Sequence, residues 1–274
     1  MSAVALAGAV MALLAPVTAT ARPKAPATAP AVSPAEQAQL REIARRGALI
    51  YAYDQAAWHG TDDMVAKLPD YESRVGGWIV DGPADAPEAV FFDKSGARAV
   101  YVARFRDGKL VSGEVVAAGA GELSEARRQL VAARNAAVEA LAKSGSRRCS
   151  EASMNSVVLP PAAPGEPILV YVLTAQRVMD AFPFGGHFLI PVDSSGRAGR
   201  VRRFTNTCLE VSVADAGGDK LAALGITHLL DPVPTEIHVF TSLAARLPVT
   251  VGTSDGRTWW VDGTAIRLIG KDGR

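Results

Sequence analysis

An α+β protein, with antiparallel sheets arranged about a long central helix, is what this sequence predicts, on three observations. Short apolar segments punctuated by turn signals fill the region before residue 117, and Asp107-Gly108 between two of them is a two-residue hairpin signal. The stretch Leu123–Lys143 repeats apolar residues at helical spacing over about five turns. From Phe182 onward a second series of short segments resumes, again separated by Gly, Asp and Pro.

In chain order, residues 1–21 carry no charged side chain, and an apolar run from Ala3 to Ala15 leads to Ala19-Thr20-Ala21, a small-x-small junction. This pattern predicts a secretory signal peptide cleaved near Ala21, hence a secreted or periplasmic location. Residues 22–32 form a Pro/Ala-rich tether with nothing to bury. Ser33-Pro34-Ala35-Glu36 is a capping box with Pro in the first turn, and Leu40, Ile43 and Ala44 share a face before Gly47, which reads as the helix stop. Ala48–Asp54 then reads as a strand, and Thr61 as the cap of a short helix through Leu68.

Gly77–Asp81, Ala89–Phe92, Ala97–Arg106 and Lys109–Val116 predict an antiparallel meander. In the central helix Leu130, Arg134, Ala137, Val138 and Leu141 trace the buried stripe, the arginine laying its stem along the edge. Strands follow at Met154–Leu159 and Ile168–Thr174, then at Gly186–Val192, Gly199–Thr205 and Cys208–Val213, with a helical turn at Asp219–Leu224 and a strand at Ile226–Leu230. Pro234–Arg246 is compatible with helix or strand; Ile237, Phe240, Ala244 and Leu247 at helical spacing favour the helix. Pro248–Gly252, Thr258–Val261 and Ala265–Ile269 finish as strands. The Pro-rich loop near residue 160 divides an N-terminal region, 33–160, from a mainly antiparallel region, 161–274.

Charge and cysteines bound the function. The formal net charge is +1 and the basic pairs are scattered, so no basic face for a nucleic-acid backbone is expected. No window after the leader is apolar enough to span a bilayer, so no transmembrane segment is expected in the mature chain. Cys149 and Cys208 are the only cysteines, and in an oxidising compartment such a pair predicts a disulfide. Closing a loop of about 60 residues, it would stabilise the fold by about 4 kcal/mol on the chain-entropy view.

Candidate sites are few. Gly252-Thr253-Ser254-Asp255-Gly256 matches Gly-x-Ser-x-Gly, but it lies between two apolar strand runs and reads as a hairpin turn rather than a nucleophile elbow. Asp54, His59, Asp62 and Asp63 gather three carboxylates and an imidazole within ten residues, donors suited to a divalent ion or a proton relay. His187 follows two glycines at a strand start, and His228, Glu236 and His238 cluster in the second half. Glu236 and His238 share a face only if they lie on a strand. Catalytic candidates are therefore His228, His238, Glu236, His59 and Asp54, and metal candidates His59, Asp62, Asp63, His187 and His228.

From Phe184 to Gly263 the order of features resembles a JAMM-type (MPN) zinc metallopeptidase domain: Gly185-Gly186 opening a strand, an Asp193–Gly196 hairpin, Thr227-His228, a Pro-rich turn, a helix, and the segment Val249–Trp259. The chain as a whole also looks like secreted bacterial proteins, a likeness that carries no activity with it. The JAMM resemblance implies zinc held by a His-x-His pair and an Asp, with a Glu as general base. His228 matches the second His of that pair and Thr235 stands for a Ser, but Ile226 occupies the first His position, no Asp follows in the expected interval, and Asp180 replaces the Glu. The resemblance thus implies the frame without the metal chemistry. No cofactor is expected, zinc being the alternative.

The sequence reading is a non-catalytic binding or interaction protein with an envelope or extracellular ligand; the alternative is a metal-dependent, peptidase-like hydrolase. A third possibility, a polymer- or peptidoglycan-binding module, requires an exposed Trp58, Trp78 or Trp259 on a concave surface.

Overall fold

The structure, a computed structural model, describes residues 32–151, 154–213 and 221–271, which belong to one compact unit. The leader, nearly all of the Pro/Ala tether and the start of the expected Asp219–Leu224 turn lie outside the described residues.

Helix α1 runs from Pro34 to Lys67, capped by Ser33, whose side chain accepts from the Glu36 N–H while the Glu36 carboxylate reaches back to the Ser33 N–H. The expected stop at Gly47, the strand at Ala48–Asp54 and the separate helix from Thr61 are therefore corrected: all three are one helix. The contiguous apolar run had the length of a buried strand, a case that periodicity alone does not resolve. Its continuation is visible in the buried positions Leu40, Ile43, Gly47, Ile50, Tyr53, Ala57 and Met64, a helical stripe. Gly47 is a crossing point. A Cβ there would sit 2.5 Å from Val239 Cβ and 2.8 Å from the Glu236 carbonyl oxygen, so its absence lets another helix cross α1.

After the short helix α2 (Tyr71–Arg74), strands β1 (Val75–Asp81), β2 (Glu88–Asp93), β3 (Ala99–Arg106) and β4 (Lys109–Val115) form an antiparallel sheet in that order. Asp107 and Gly108 both take positive φ, as the primed turn between β3 and β4 demands. Helix α3 (Glu125–Lys143) follows, capped by Ser124; its stripe is buried at Leu130, Ala137 and Leu141, whereas Val138 is exposed. Strands β5 (Met154–Leu159), β6 (Ile168–Thr174), β8 (Phe188–Val192) and β9 (Arg202–Arg203) form a second antiparallel sheet, order β5-β6-β8-β9. Strand β7 (Ala181–Pro183) pairs separately with β10 (Glu210–Ser212). The last sheet orders β11 (Leu224–His228), β12 (Val249–Thr253), β13 (Arg257–Asp262) and β14 (Ala265–Lys271).

In that last sheet β11 and β12 are parallel, which the expectation of antiparallel pairing missed. Helix α4 (Glu236–Ala245) is the crossover that a parallel pair requires, so Pro234–Arg246 resolves as helix. Ser254 lies in the β12–β13 turn, as expected of a hairpin residue. Cys149 and Cys208 are bonded, with Cα atoms 5.2 Å apart, and tie the segment after α3 to the approach to β10.

The first two sheets are covered on both faces. Ile50, Tyr53 and Met64 of α1 pack with Phe91 and Tyr101 of the first sheet and with Tyr171 and Leu173 of the second. On the opposite faces Leu130, Ala137 and Leu141 of α3 meet Phe92, Val158 and Ile190. Both cores draw residues from either side of the Pro-rich loop at 160. Two-sided cover explains why β2 and β3 are buried almost continuously instead of alternating. A third core joins the start of α1 through Leu40 and Ile43 to Val239, Val249, Trp259 and Val261. Among the described residues no helix is long and apolar enough to cross a membrane.

Candidate functional site

Helix α4 has two chemically different surroundings, and the sequence-derived candidates divide between them.

At its N-terminal turn lies a closed polar cluster. Glu236 is buried, and the Tyr171 hydroxyl donates to its Oε1 at 2.7 Å. Burial, followed by the adjacent carboxylate, holds the Tyr171 pKa well above the ordinary phenol value. The Thr235 N–H donates to His238 Nδ1 at 2.8 Å, so His238 fills the role that Glu or Gln plays in a capping box. This places the remaining ring proton of neutral His238 on Nε2. The His228 and His238 rings meet edge to face with centroids 4.8 Å apart. His228 Nε2 donates to Asp231 Oδ2 at 2.8 Å, and Arg202 Nη2 contacts both Asp231 oxygens, at 2.9 and 3.0 Å. The Arg202 guanidinium lies over Phe204 at 4.7 Å, and Phe204 stacks on Tyr171, closing a ring of contacts through β6, β9, β11 and α4.

Burial, and then the nearby His228, pushes the His238 pKa down to about 3; burial pushes His187 down to about 4. Both nitrogens of His187 are engaged by backbone: Nε2 donates to the Pro183 carbonyl at 2.8 Å, and Nδ1 accepts from the Thr174 N–H at 3.3 Å. Burial opposes ionisation of Asp231, but His228 and Arg202 hold its pKa below the usual carboxylate value. Folding thus brings His228, Glu236 and His238 into one cluster, but on a helix Glu236 and His238 diverge, one toward Tyr171 and the other toward Thr235 and His228. Zinc, which the metallopeptidase resemblance implies, does not fit this donor set. Ile226, where the first ligand of the motif would stand, is apolar, and His187 has no lone pair to spare. Among the described residues no group of three or more His, Cys, Asp or Glu is arranged to hold a metal ion.

The first-half candidates separate because they lie on one helix at different angles. His59 is exposed and stacks beside Trp58, with ring centroids 5.6 Å apart. Asp62 is exposed. Asp63 accepts from Lys67 Nζ at 3.0 Å and from the Tyr101 hydroxyl, beneath Gly113, where a side chain would collide with both groups. Asp54 alone faces a cavity.

That cavity is an open cleft between α1 and the second turn of α4. Its larger lobe, about 280 Å³, is walled by Leu173, Phe182 and Phe240, and its rim by Val178 and Met179. A second lobe of about 230 Å³ shares Asp54, Trp58 and Asn155 and ends on Trp78. Asp54, Trp58 and Thr61 are successive turns of one α1 face, which is how helical geometry aligns an acid with an aromatic. Trp58 is 46 % exposed, an unusual level for so large an apolar side chain. Burial pushes the Asp54 carboxyl up to about 6, against hydrogen bonds from Asn155, whose Nδ2 stands 3.4 Å from Oδ1, and from Gln55. On α4, Thr241 lines the same cleft. It is 1 % exposed, and its Oγ1 is the one enclosed side-chain N or O among the described residues without a hydrogen-bond partner. The rim loop is braced by Gln176 Nε2, which donates to the Val178 and Met179 carbonyls at 2.9 and 2.8 Å, leaving Met179 74 % exposed.

The cleft therefore offers an apolar floor, one exposed indole, one carboxyl of raised pKa, the amides of Gln55, Asn155 and Gln176, the Arg177 guanidinium and an unsatisfied hydroxyl. This is the composition of a small-ligand site. Glycoside hydrolysis ordinarily needs a second carboxyl group across the scissile bond, and among the described lining residues Asp54 is the only acid. Sequence reasoning singled out Asp54 and Trp58 but missed Asn155, Thr241, Phe182 and Met179. Nothing in their local pattern distinguishes them, and only the approach of α4 and the rim loop to α1 gives them a role.

Compared with known proteins, the chain matches no family model, and no curated protein or solved structure is significantly similar to it.

Proposed function

We propose that this is an extracytoplasmic, non-catalytic binding protein, and that its ligand is a sugar-containing polymer of the cell envelope seated in the Asp54–Trp58 cleft. The observation that carries the reading is the exposed Trp58 indole on a concave surface beside hydrogen-bonding groups whose capacity is unspent: Asp54, Asn155 and the orphaned Thr241 hydroxyl. An indole face offers flat apolar area to the C–H face of a sugar ring, while acid and amide groups address its hydroxyls. The uncharged leader and the Cys149–Cys208 disulfide support export. The alternative, a metal-dependent hydrolase, draws on His187, whose two nitrogens are both engaged by backbone, and on His238 and His228, each with one nitrogen already held, by the Thr235 N–H and by Asp231.

The test is co-sedimentation of residues 22–274 with purified peptidoglycan and with chitin, together with titration of soluble chito-oligosaccharides followed by tryptophan fluorescence. Saturable binding that Trp58→Ala weakens at least about tenfold is expected, as for loss of an aromatic anchor. Absence of binding to every glycan would overturn the reading. Release of soluble fragments that depends on Asp54 would replace it with an enzyme.

A further inference from the structure

A second cavity, of about 660 Å³, lies between α3 and β5 and contains a charge without a counter-charge. Arg134 leaves α3 along its buried stripe. Its Nε donates to Ser156 Oγ at 2.9 Å and its Nη1 to Asn135 Oδ1 at 3.1 Å. The guanidinium lies over the Trp78 and Phe92 rings at 5.6 and 5.8 Å from their centroids. Gly77 makes room for it, since a Cβ there would come within 3.2 Å of Arg134 Cζ. Burial lowers its pKa, so the site weakens solvation of the cation without replacing it.

The contrast with the other arginines is informative. Among the described residues, the half-buried Arg46, Arg74, Arg104, Arg127, Arg202 and Arg257 each has a carboxylate within ion-pair distance. Arg134 is equally half-buried and has none. A guanidinium carries five N–H donors, and the two bonds above leave Nη2 without a hydrogen-bond partner among the described residues. Partly desolvating a charge is costly unless it is paired, and two neutral acceptors with two ring faces compensate only in part. Glu151, the only acid among the described lining residues, is exposed and lies beyond ion-pair distance. Ser146 and Arg148 add polar and positive lining, and Leu141, Met154 and Val172 supply an apolar wall.

We propose that this cavity is a binding site for a small organic oxyanion, a carboxylate or phosphate carried on an apolar body, with the free edge of the Arg134 guanidinium as its anchor. The planar fork matches either group in a bidentate fashion, and the apolar wall takes the body of the ligand. Trp78 forms a shared wall, ending the second lobe of the Asp54 cleft and lying against the Arg134 guanidinium, but the proposal does not rest on the glycan reading of that cleft.

Calorimetric titration of residues 22–274 at constant ionic strength, with phenyl phosphate, phenylacetate and inorganic phosphate as probes, tests the proposal. Saturable binding of at least one aryl anion is expected, tighter than that of inorganic phosphate, and the better of the two aryl probes identifies the headgroup. Arg134→Gln should weaken it at least about tenfold, as for loss of a charge-assisted hydrogen bond, while Trp58→Ala leaves it unchanged. If Arg134→Gln does not fold, Arg134→Lys, which keeps the charge but loses the fork, should bind more weakly by about threefold or more. The proposal is overturned if neither aryl anion binds saturably, or if the folded Arg134 variant binds as tightly as the parent.

Discussion

The two ends of α4 present opposite solutions to the placing of polar groups inside a protein. At Glu236 and His238 nearly every donor meets an acceptor in the surrounding ring, and water is excluded. One turn further on, Thr241 and, across the cleft on α1, Asp54 are shielded without being fully satisfied. Satisfied buried polar networks make a core specific and rigid, whereas a partly satisfied group at a cleft, as Asp54 is, is free to bind something else. The sequence placed candidates in both regions; geometry favours the second.

The largest expected effect concerns the disulfide, which anchors the segment leading to β10 and, through β7, Phe182 and Pro183 in the cleft wall. Its reduction should lower stability by about 4 kcal/mol, read as a shift of the urea midpoint with and without dithiothreitol. An unchanged midpoint with both thiols labelling in the native state would show the bridge to be dispensable.

Next comes the closed cluster itself. Glu236→Ala should cost about 3 kcal/mol, because it leaves the buried Tyr171 hydroxyl without its acceptor. Glycan binding by the folded fraction should persist. If Glu236→Ala instead abolishes binding at unchanged stability, the cluster rather than the cleft is the functional site.

Protonation separates the regions with opposite signs. For His187 and His238 the folded pKa lies below the unfolded value of 6.5, at about 4 and about 3, so the native state binds fewer protons. Their contribution is present above pH 6.5 and is lost as pH falls through 4 for His187, by about 3 kcal/mol, and through 3 for His238, by about 5 kcal/mol. For Asp54 the folded pKa, about 6, lies above the unfolded value of 3.8, and the native state binds more protons. Its contribution is present below pH 3.8 and is lost as pH rises through 6, by about 3 kcal/mol. Asp54→Asn should therefore be more stable than the parent at pH 7 and equal to it at pH 3.5, with glycan affinity reduced. Urea melts across pH 3.5–8 check both signs, and a variant no more stable at pH 7 would remove the strain assigned to the cleft.

The smallest effect is expected at Ser254. Ser254→Ala in the exposed β12–β13 turn should change stability by less than about 0.5 kcal/mol and leave glycan binding unaltered. Any esterase activity sensitive to this change would revive the nucleophile reading.

Much of the fold was legible because its signals are local. The Ser33 box, the Asp107-Gly108 turn and strands β5 and β6 follow from capping, turn chemistry and apolar segments bounded by breakers. The failure at Gly47 has a non-local cause: the residue reads as a stop, but a crossing helix 190 positions away requires its missing side chain. The parallel β11–β12 pairing was likewise invisible, because a crossover helix and an antiparallel connection can share one apolar pattern. Of the site, Asp54 and Trp58 were within reach, since an acid and an aromatic one helical turn apart share a face once the helix is recognised.

What the sequence determined by itself is the class of the fold, the disulfide pair and the turns, each set by the conformational preferences of a few adjacent residues. Tertiary structure alone decided which polar groups are satisfied. His187 and His238 became structural because a backbone group reaches each ring, whereas Thr241 Oγ1 has no partner and Asp54 and Arg134 have too few to use their full bonding capacity. Hydrogen-bond satisfaction depends on distances between remote segments, and those exist only once the helices and sheets have packed.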